Sequence, residues 1–324
     1  MATHFWLEPG QGAEQTVERH MRRSKRLATH TSRFGPVPTS FRFFDQGEWE
    51  TFNDLVRREL RVHGYTAEFS APGEVTLPEL QITLGLVNLA QQCRRAPDVE
   101  WAPIVAHHIT RIPRIDEMPT GKDKVLPALR VLLVPDDYLP TDIDTLQAPY
   151  AESVVATIVA DLPASVRSLA PTDLIDWEMS EQEVWARAWA NTRRHPEPID
   201  VATVEIAGGP MTVVHGEHFY TASRVRWLED LVGPVAPFGA LVAMPRRSTL
   251  LVHVIRDADV MNAVEPLVLN ARLLHLEGPR SVSAHVYWWR DGELRWVPTI
   301  FDETDDSVEF YPPPDLAQVL AFVA

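Results

Sequence analysis

The stretch VAPFGALVAMPRRSTLLVHVI, residues 235–255, decides the fold. It holds two nearly continuous apolar runs, Gly239–Met244 and Leu250–Ile255, split by Pro245-Arg246-Arg247-Ser248-Thr249. Runs of that length bounded by turn residues predict strands buried on both faces. Such strands sit at the centre of a sheet, with helices packed over them. Outward from them the pattern alternates. Strands are expected at Val201–Ala207 and Met211–His215, helices at Ser223–Leu231 and Val260–His275, and a hairpin over Ser281–Ile300. Strands that arrive in hairpins with single helices between them predict a mixed, mainly antiparallel sheet and an α+β fold class.

Upstream, Ser180-Glu181-Gln182-Glu183 fits a capping box that opens a helix carrying Val184, Trp185, Ala188 and Trp189. Ser153–Leu162 reads as a helix, Leu126–Val134 as a strand and Pro135–Tyr150 as a long loop. Nearer the N-terminus, Trp49, Phe52, Leu55, Val56 and Leu60 recur at helical spacing, and Gly64 suits the stop after that helix. Phe41–Phe44 reads as a short strand, and Tyr65–Ser70 with Glu74–Leu77 as a hairpin. A helix follows from Leu84 to about Arg95. A further one, capped by Asp98, carries Trp101, Ile104, Val105 and Ile109. Breakers Pro113, Pro119 and Gly121 mark a boundary. The expected organisation is a flexible basic arm (1–40), an N-terminal α+β lobe (41–118) and a C-terminal α+β domain (119–324). The arm's charge comes from Arg19, Arg22, Arg23, Lys25, Arg26 and Arg33.

The formal net charge of -15 disfavours phosphate backbones and anionic lipid, so neither nucleic acid nor membrane is an expected partner. One cysteine, Cys93, rules out an intramolecular disulfide framework. No apolar run reaches membrane-spanning length and no basic-then-apolar leader opens the chain, so a cytoplasmic location is expected.

Reactive motifs are scarce. His215-Gly216-Glu217-His218 is the tightest histidine cluster, and His215 and His218 are the metal candidates the chain offers. Their spacing lacks the i, i+4 pairing of a helical metal motif, so hydrogen-bonded histidines, with no metal and no cofactor, are expected. His107-His108 diverge on a helix. His253 and His285 lie in strands where they can meet across a sheet. Cys93 sits on a helix face, where cysteines behave as small hydrophobes. No Gly-x-Ser-x-Gly elbow is present, and Gly208-Gly209-Pro210 is a hairpin turn, not a phosphate cradle.

The hairpin Trp289-Arg290-Asp291-Gly292-Glu293-Leu294 carries the clearest turn signal. Asp-Gly predicts a two-residue type I′ turn, which sets Arg290 opposite Glu293, Trp289 opposite Leu294, Tyr287 opposite Trp296 and Val286 opposite Val297. One face then carries Ser283, His285, Tyr287, Trp289, Leu294 and Trp296, large aromatics mixed with polar groups. Its binding candidates are His285, Tyr287, Trp289, Leu294 and Trp296. Large exposed apolar patches are rare on monomers, so another layer, such as the first lobe, is expected to cover the face; the alternative is a recognition surface centred on Trp289 and Trp296.

Ala160-Asp161-Leu162-Pro163, Trp177-Glu178-Met179-Ser180, Asn191-Thr192-Arg193-Arg194 and Ala240-Leu241-Val242-Ala243-Met244-Pro245 recur here in an order that resembles the DUF1444 family of uncharacterised bacterial proteins, over about Val125–Ile300. The resemblance implies a bacterial cytosolic α+β protein and transfers no catalytic residue. The functional expectation is a non-enzymatic protein-binding module of chaperone, adaptor or immunity type, with another protein as partner. The alternatives are a hydrolase built from His215, His218 and distant carboxylates, and a structural subunit of an assembly.

Overall fold

The computed structural model describes residues 33–38, 41–69, 73–80, 82–112, 121–138, 144–162, 165–206, 209–235, 237–302 and 307–323. Most of the expected basic arm, residues 1–32, lies outside these. Its last described stretch belongs to the lobe: Phe34 and Val37 pack on the lobe core, and Arg33 pairs with Asp54 at 3.2 Å.

The lobe is built on α1 (Gln46–Val62). Asp45 caps it by accepting from the Glu48 N–H at 2.8 Å, and Glu48 returns the bond to the Asp45 N–H. Gly64, at φ +79°, ends the chain's helical path as expected. Phe41–Phe44 forms a hydrogen-bonded turn instead of a strand, with the Phe44 N–H donating to the Phe41 carbonyl. The turn folds both rings inward, 4.8 Å from Trp49 and 5.2 Å from Trp101. β1 (Glu74–Leu77) pairs along its length with β2 (Ile82–Gly85), not with the expected Tyr65–Ser70, which keeps a single bridge at Glu68–Thr76. Leu84 is therefore a strand residue, and α2 begins at Val87 and runs to Arg95. Trp101, Val105 and Ile109 are buried on α3 (Trp101–Thr110).

The body contains two facing sheets. β3 (Leu129–Pro135), β4 (Gln147–Ala151), β5 (Val154–Leu162) and β6 (Ser165–Ser168) make the smaller one, with β5 paired to each of the others. The expected helix at Ser153–Leu162 is thus a strand, and the expected loop contains β4. Val154, Val155, Thr157, Ile158 and Val159 are all β-branched and fit a pleated surface better than a helix. α4 (Pro171–Trp177) and α5 (Glu181–Arg193) follow, the second opened by the Ser180–Glu183 capping box. α5 seals the β3 edge: the Val131 N–H donates to the Thr192 hydroxyl at 2.8 Å.

The larger sheet has the order β12-β11-β9-β10-β8-β7. Its strands are β7 (Ile199–Ile206), β8 (Gly209–Gly216), β9 (Ala240–Arg246), β10 (Thr249–Val254), β11 (Val286–Arg290) and β12 (Glu293–Val297). β9 and β10 are central and buried on both faces, as their apolar runs predict. One face, with Val214, Val242, Met244, Leu250 and Val252, meets Val131, Leu133 and Ile158 of the smaller sheet. The other, with Leu241, Ala243, Leu251 and Trp288, is covered by α6 (Val260–Glu277) and α7 (Pro314–Val323). The expected helix at Ser223–Leu231 is a 3₁₀ turn, Ala222–Trp227, followed by one short helical turn. Every strand pair among the described residues is antiparallel, and the architecture is α+β. No helix among them is long and apolar enough to cross a membrane.

The lobe meets the body at Gly278-Pro279-Arg280. The Arg280 N–H donates to Asn88 Oδ1 at 2.9 Å, and Arg95 reaches the Gly278 carbonyl at 3.3 Å. Gly278 has φ +48°, and a Cβ there would come within 2.3 Å of the Gln91 side chain. The positive φ favours glycine, and the absent side chain leaves room for the Gln91 amide.

Candidate functional site

The β11–β12 hairpin forms as its turn chemistry dictates. Asp291 and Gly292 both take positive φ, +52° and +84°, and the four expected cross-strand pairs are present. Of the two readings of its aromatic face, a covering layer holds for Tyr287 and Trp289, and two of the binding candidates are therefore core residues. Tyr287 and Trp289 are 0% and 5% exposed, because that face turns toward the smaller sheet and joins the shared core. Tyr287 donates from its hydroxyl to the Glu152 carbonyl at 2.7 Å, in the turn between β4 and β5, and meets the Ser283 hydroxyl at 2.8 Å. Leu294 packs half-buried against the same core. Two candidates remain toward solvent: Trp296, 38% exposed, and the half-buried His285, with ring centroids 5.5 Å apart. β12 is an edge strand, so Trp296 stands at the rim of the sheet.

The two histidines of His215-Gly216-Glu217-His218 separate. His215 lies on β8 opposite Thr249 and contacts its hydroxyl at 3.1 Å. His218 turns under the sheet, 5% exposed, into a cluster that no single stretch of sequence announces. Its ring packs tilted against His195 with centroids 4.5 Å apart, and both rings lie within 6.0 Å of Tyr220. His195 Nε2 faces the Asp161 carboxylate at 3.8 Å. β5 supplies Asp161, the end of α5 supplies His195, and the loop after β8 supplies His218 and Tyr220. The only hint in the sequence is an aspartate near the end of the apolar run VVATIVADL.

The protonation state follows from the bonds. The Tyr220 N–H donates to His218 Nδ1 at 3.0 Å, so Nδ1 is bare and the neutral ring carries its proton on Nε2. Nε2 has no partner and lies over Gly216, beside the equally unpartnered Thr221 hydroxyl. Burial, then the neighbouring His195, pull the His218 pKa down to about 4. Burial and the Asp161 charge push the Tyr220 phenol far above its usual value. At neutral pH this is an uncharged imidazole and a firmly protonated phenol. Among the described residues, no group of three or more His, Cys, Asp or Glu is arranged to hold a metal ion.

The remaining candidates are accounted for by packing. The Cys93 thiol is buried and pushed up to about 12 by that burial, which makes it inert. His253 contacts the Pro210 carbonyl at 2.9 Å and does not meet His285, since β9 separates β10 from β11.

Comparison with protein-family models, with curated proteins and with solved structures finds no match.

Proposed function

We propose that this chain is a non-catalytic protein-binding module of a bacterial cytosol, of chaperone, adaptor or immunity type, with Trp296 at the head of its recognition patch. One observation supports it: Trp288 and Trp289 of the terminal hairpin are buried, whereas Trp296 of the same hairpin stands 38% exposed on an edge strand beside His285. An edge strand offers backbone groups to an incoming segment, and a rim tryptophan supplies a broad contact for an apolar side chain of that segment. The resemblance of about Val125–Ile300 to DUF1444 proteins supplies the bacterial setting of this proposal. Its test is Trp296→Ala in the full chain. The expected result is unchanged melting with loss of a partner protein that co-purifies with the natural chain. Retention of that partner by the variant would overturn the proposal.

A hydrolase is the second reading, favoured by the Asp161–His195 contact and the His195–His218 ring contact. It is the weaker one, because His218 and Tyr220 are sealed from solvent and His218 Nδ1 is occupied by backbone. A broad ester, amide and phosphoester panel tests it. Turnover that disappears in His195→Ala supports a hydrolase, and an inactive natural chain removes it.

A further inference from the structure

Arg246 and Arg247 are neighbours at the β9–β10 turn and are treated in opposite ways. Arg246 is fully engaged: Nη2 reaches Glu277 at 3.0 Å and Nε donates to the Leu274 carbonyl at 2.8 Å. Arg247 is 6% exposed, yet its Nε and Nη2 have no hydrogen-bond partner. Its guanidinium lies 4.5 Å from the centroid of the Tyr138 ring. The Arg247 N–H donates to the Arg280 carbonyl at 2.9 Å, which brings a second arginine alongside. Arg280 stacks on Phe219 at 3.9 Å, and its backbone is held by Asn88.

The two cations act on each other and on the phenol. Burial and then the charge of Arg247 bring Arg280 down to about 10. Arg247, ahead of every other cause, holds the Tyr138 phenol below its ordinary value. Neither arginine has a carboxylate partner among the described residues. That is notable in a chain with 45 acidic side chains against 30 basic ones. A desolvated cation without a counter-charge is costly, and a pair of them more so.

We propose that Arg247, Arg280 and Tyr138 form a binding site for the phosphoryl group of a small phosphomonoester. Two guanidinium forks match the charge and the paired oxygens of a phosphate dianion, and the phenol adds a donor. The ligand is small because Arg247 is almost buried. Tyr138, 40% exposed, is the side of the site that reaches solvent. Asn88 belongs to α2 of the lobe, and Arg247 and Arg280 belong to the body. An occupied site therefore also fastens the lobe to the body.

The test is calorimetric titration of the full chain with phenyl phosphate, inorganic phosphate and benzoate, at ionic strength held constant with sodium chloride. Melting curves accompany it. Phenyl phosphate and inorganic phosphate should bind saturably and raise the melting temperature above the chloride control, and benzoate should bind at least ~10-fold more weakly. Arg280→Gln should weaken phenyl phosphate by about 10-fold or more, and Tyr138→Phe by a few-fold. Arg247→Met should abolish binding while the unliganded chain melts no lower, because a buried unpaired charge has been removed. If Arg247→Met does not fold, Arg280→Gln and Tyr138→Phe carry the test. Trp296→Ala should leave phosphate binding intact, which separates this site from the protein-recognition patch. Three outcomes overturn the proposal: no saturable phosphate binding beyond chloride, binding indifferent to Arg280→Gln, or benzoate binding as tightly as phenyl phosphate.

Discussion

Two hairpins of the larger sheet, β9–β10 and β11–β12, are buried by different means. β9–β10 is largely apolar on both faces, so each face packs on its own layer, and its few buried polar groups, Thr249 and His253, find partners in His215 and the Pro210 carbonyl. β11–β12 alternates, and only part of it is covered. Val286 and Trp288 face α6 and α7, Tyr287 and Trp289 face the smaller sheet, and Trp296 is left at the rim. Burying β11 required a partner for the Tyr287 hydroxyl, and the Glu152 carbonyl supplies it. Position in the sheet, more than residue type, decides whether an aromatic serves the core or the surface.

The sharpest way to break this contrast lies in the central hairpin. Val252 is fully buried between Val242 and Thr212 of its neighbouring strands. Val252→Asp places an unpaired carboxylate there and should cost several kcal/mol, against a total of about 5–15 for a typical domain. The expected outcome is an insoluble chain, read in the soluble fraction after expression. A soluble variant with normal melting means that the strand is not central. Next in size is Trp289→Ala, which should cost about 3–5 kcal/mol in chemical denaturation, as for other buried aromatics. A loss below about 1 kcal/mol would show that the smaller sheet does not cover β11.

How legible the fold was depended on whether the deciding interactions were local. The Ser180 cap, the Gly64 stop and the Asp291-Gly292 turn are settled by residues a few positions apart, and all form as the sequence predicts. The helix expected over β5 gives way to a strand for a physical reason. Val154, Ile158 and Leu162 recur every four positions, a spacing that suits one face of a helix and one face of a strand alike. The β-branched residues between them break the tie, and the partners that make it a strand, β3 and β4, come from other segments. The His195–His218–Asp161 cluster was invisible for the same reason, since three separate elements meet there. Arg247 reads in sequence as an ordinary turn residue. Only burial shows that it lacks a partner.

That cluster predicts a pH effect of intermediate size. His218 has a folded pKa of about 4 against an ordinary value near 6.5, so the unfolded chain takes a proton that the folded one refuses. Stability is then full above about pH 6.5 and falls as the pH drops toward 4, by on the order of 3 kcal/mol at the limit. His108, His275 and His285 are lowered by burial as well and add to the slope. His218→Asn keeps an acceptor for the Tyr220 N–H and removes the titrating ring. Urea melts of this variant at pH 8, 6 and 5 should show a shallower loss than the natural chain. Equal slopes would mean that His218 is protonated in the folded state.

The smallest effect is the one that bears most on function. Trp296 pairs across the hairpin with Tyr287, yet the two rings meet opposite fates: Tyr287 is inside the shared core and Trp296 is at the rim. Its neighbour in contact is His285, whose ring is tilted 58° to it, so truncation opens no closed cavity. Trp296→Ala should therefore cost no more than about 1 kcal/mol, the range of an exposed site, while Trp289→Ala two positions along the pairing costs several times that. Measuring both in one denaturation series isolates the comparison from changes in the hairpin turn, which the two variants share. If Trp296→Ala proves as damaging as Trp289→Ala, the rim is part of the core, and the recognition patch proposed there cannot exist. If it is near-neutral, the sheet has kept a large aromatic at its edge that its own stability does not need.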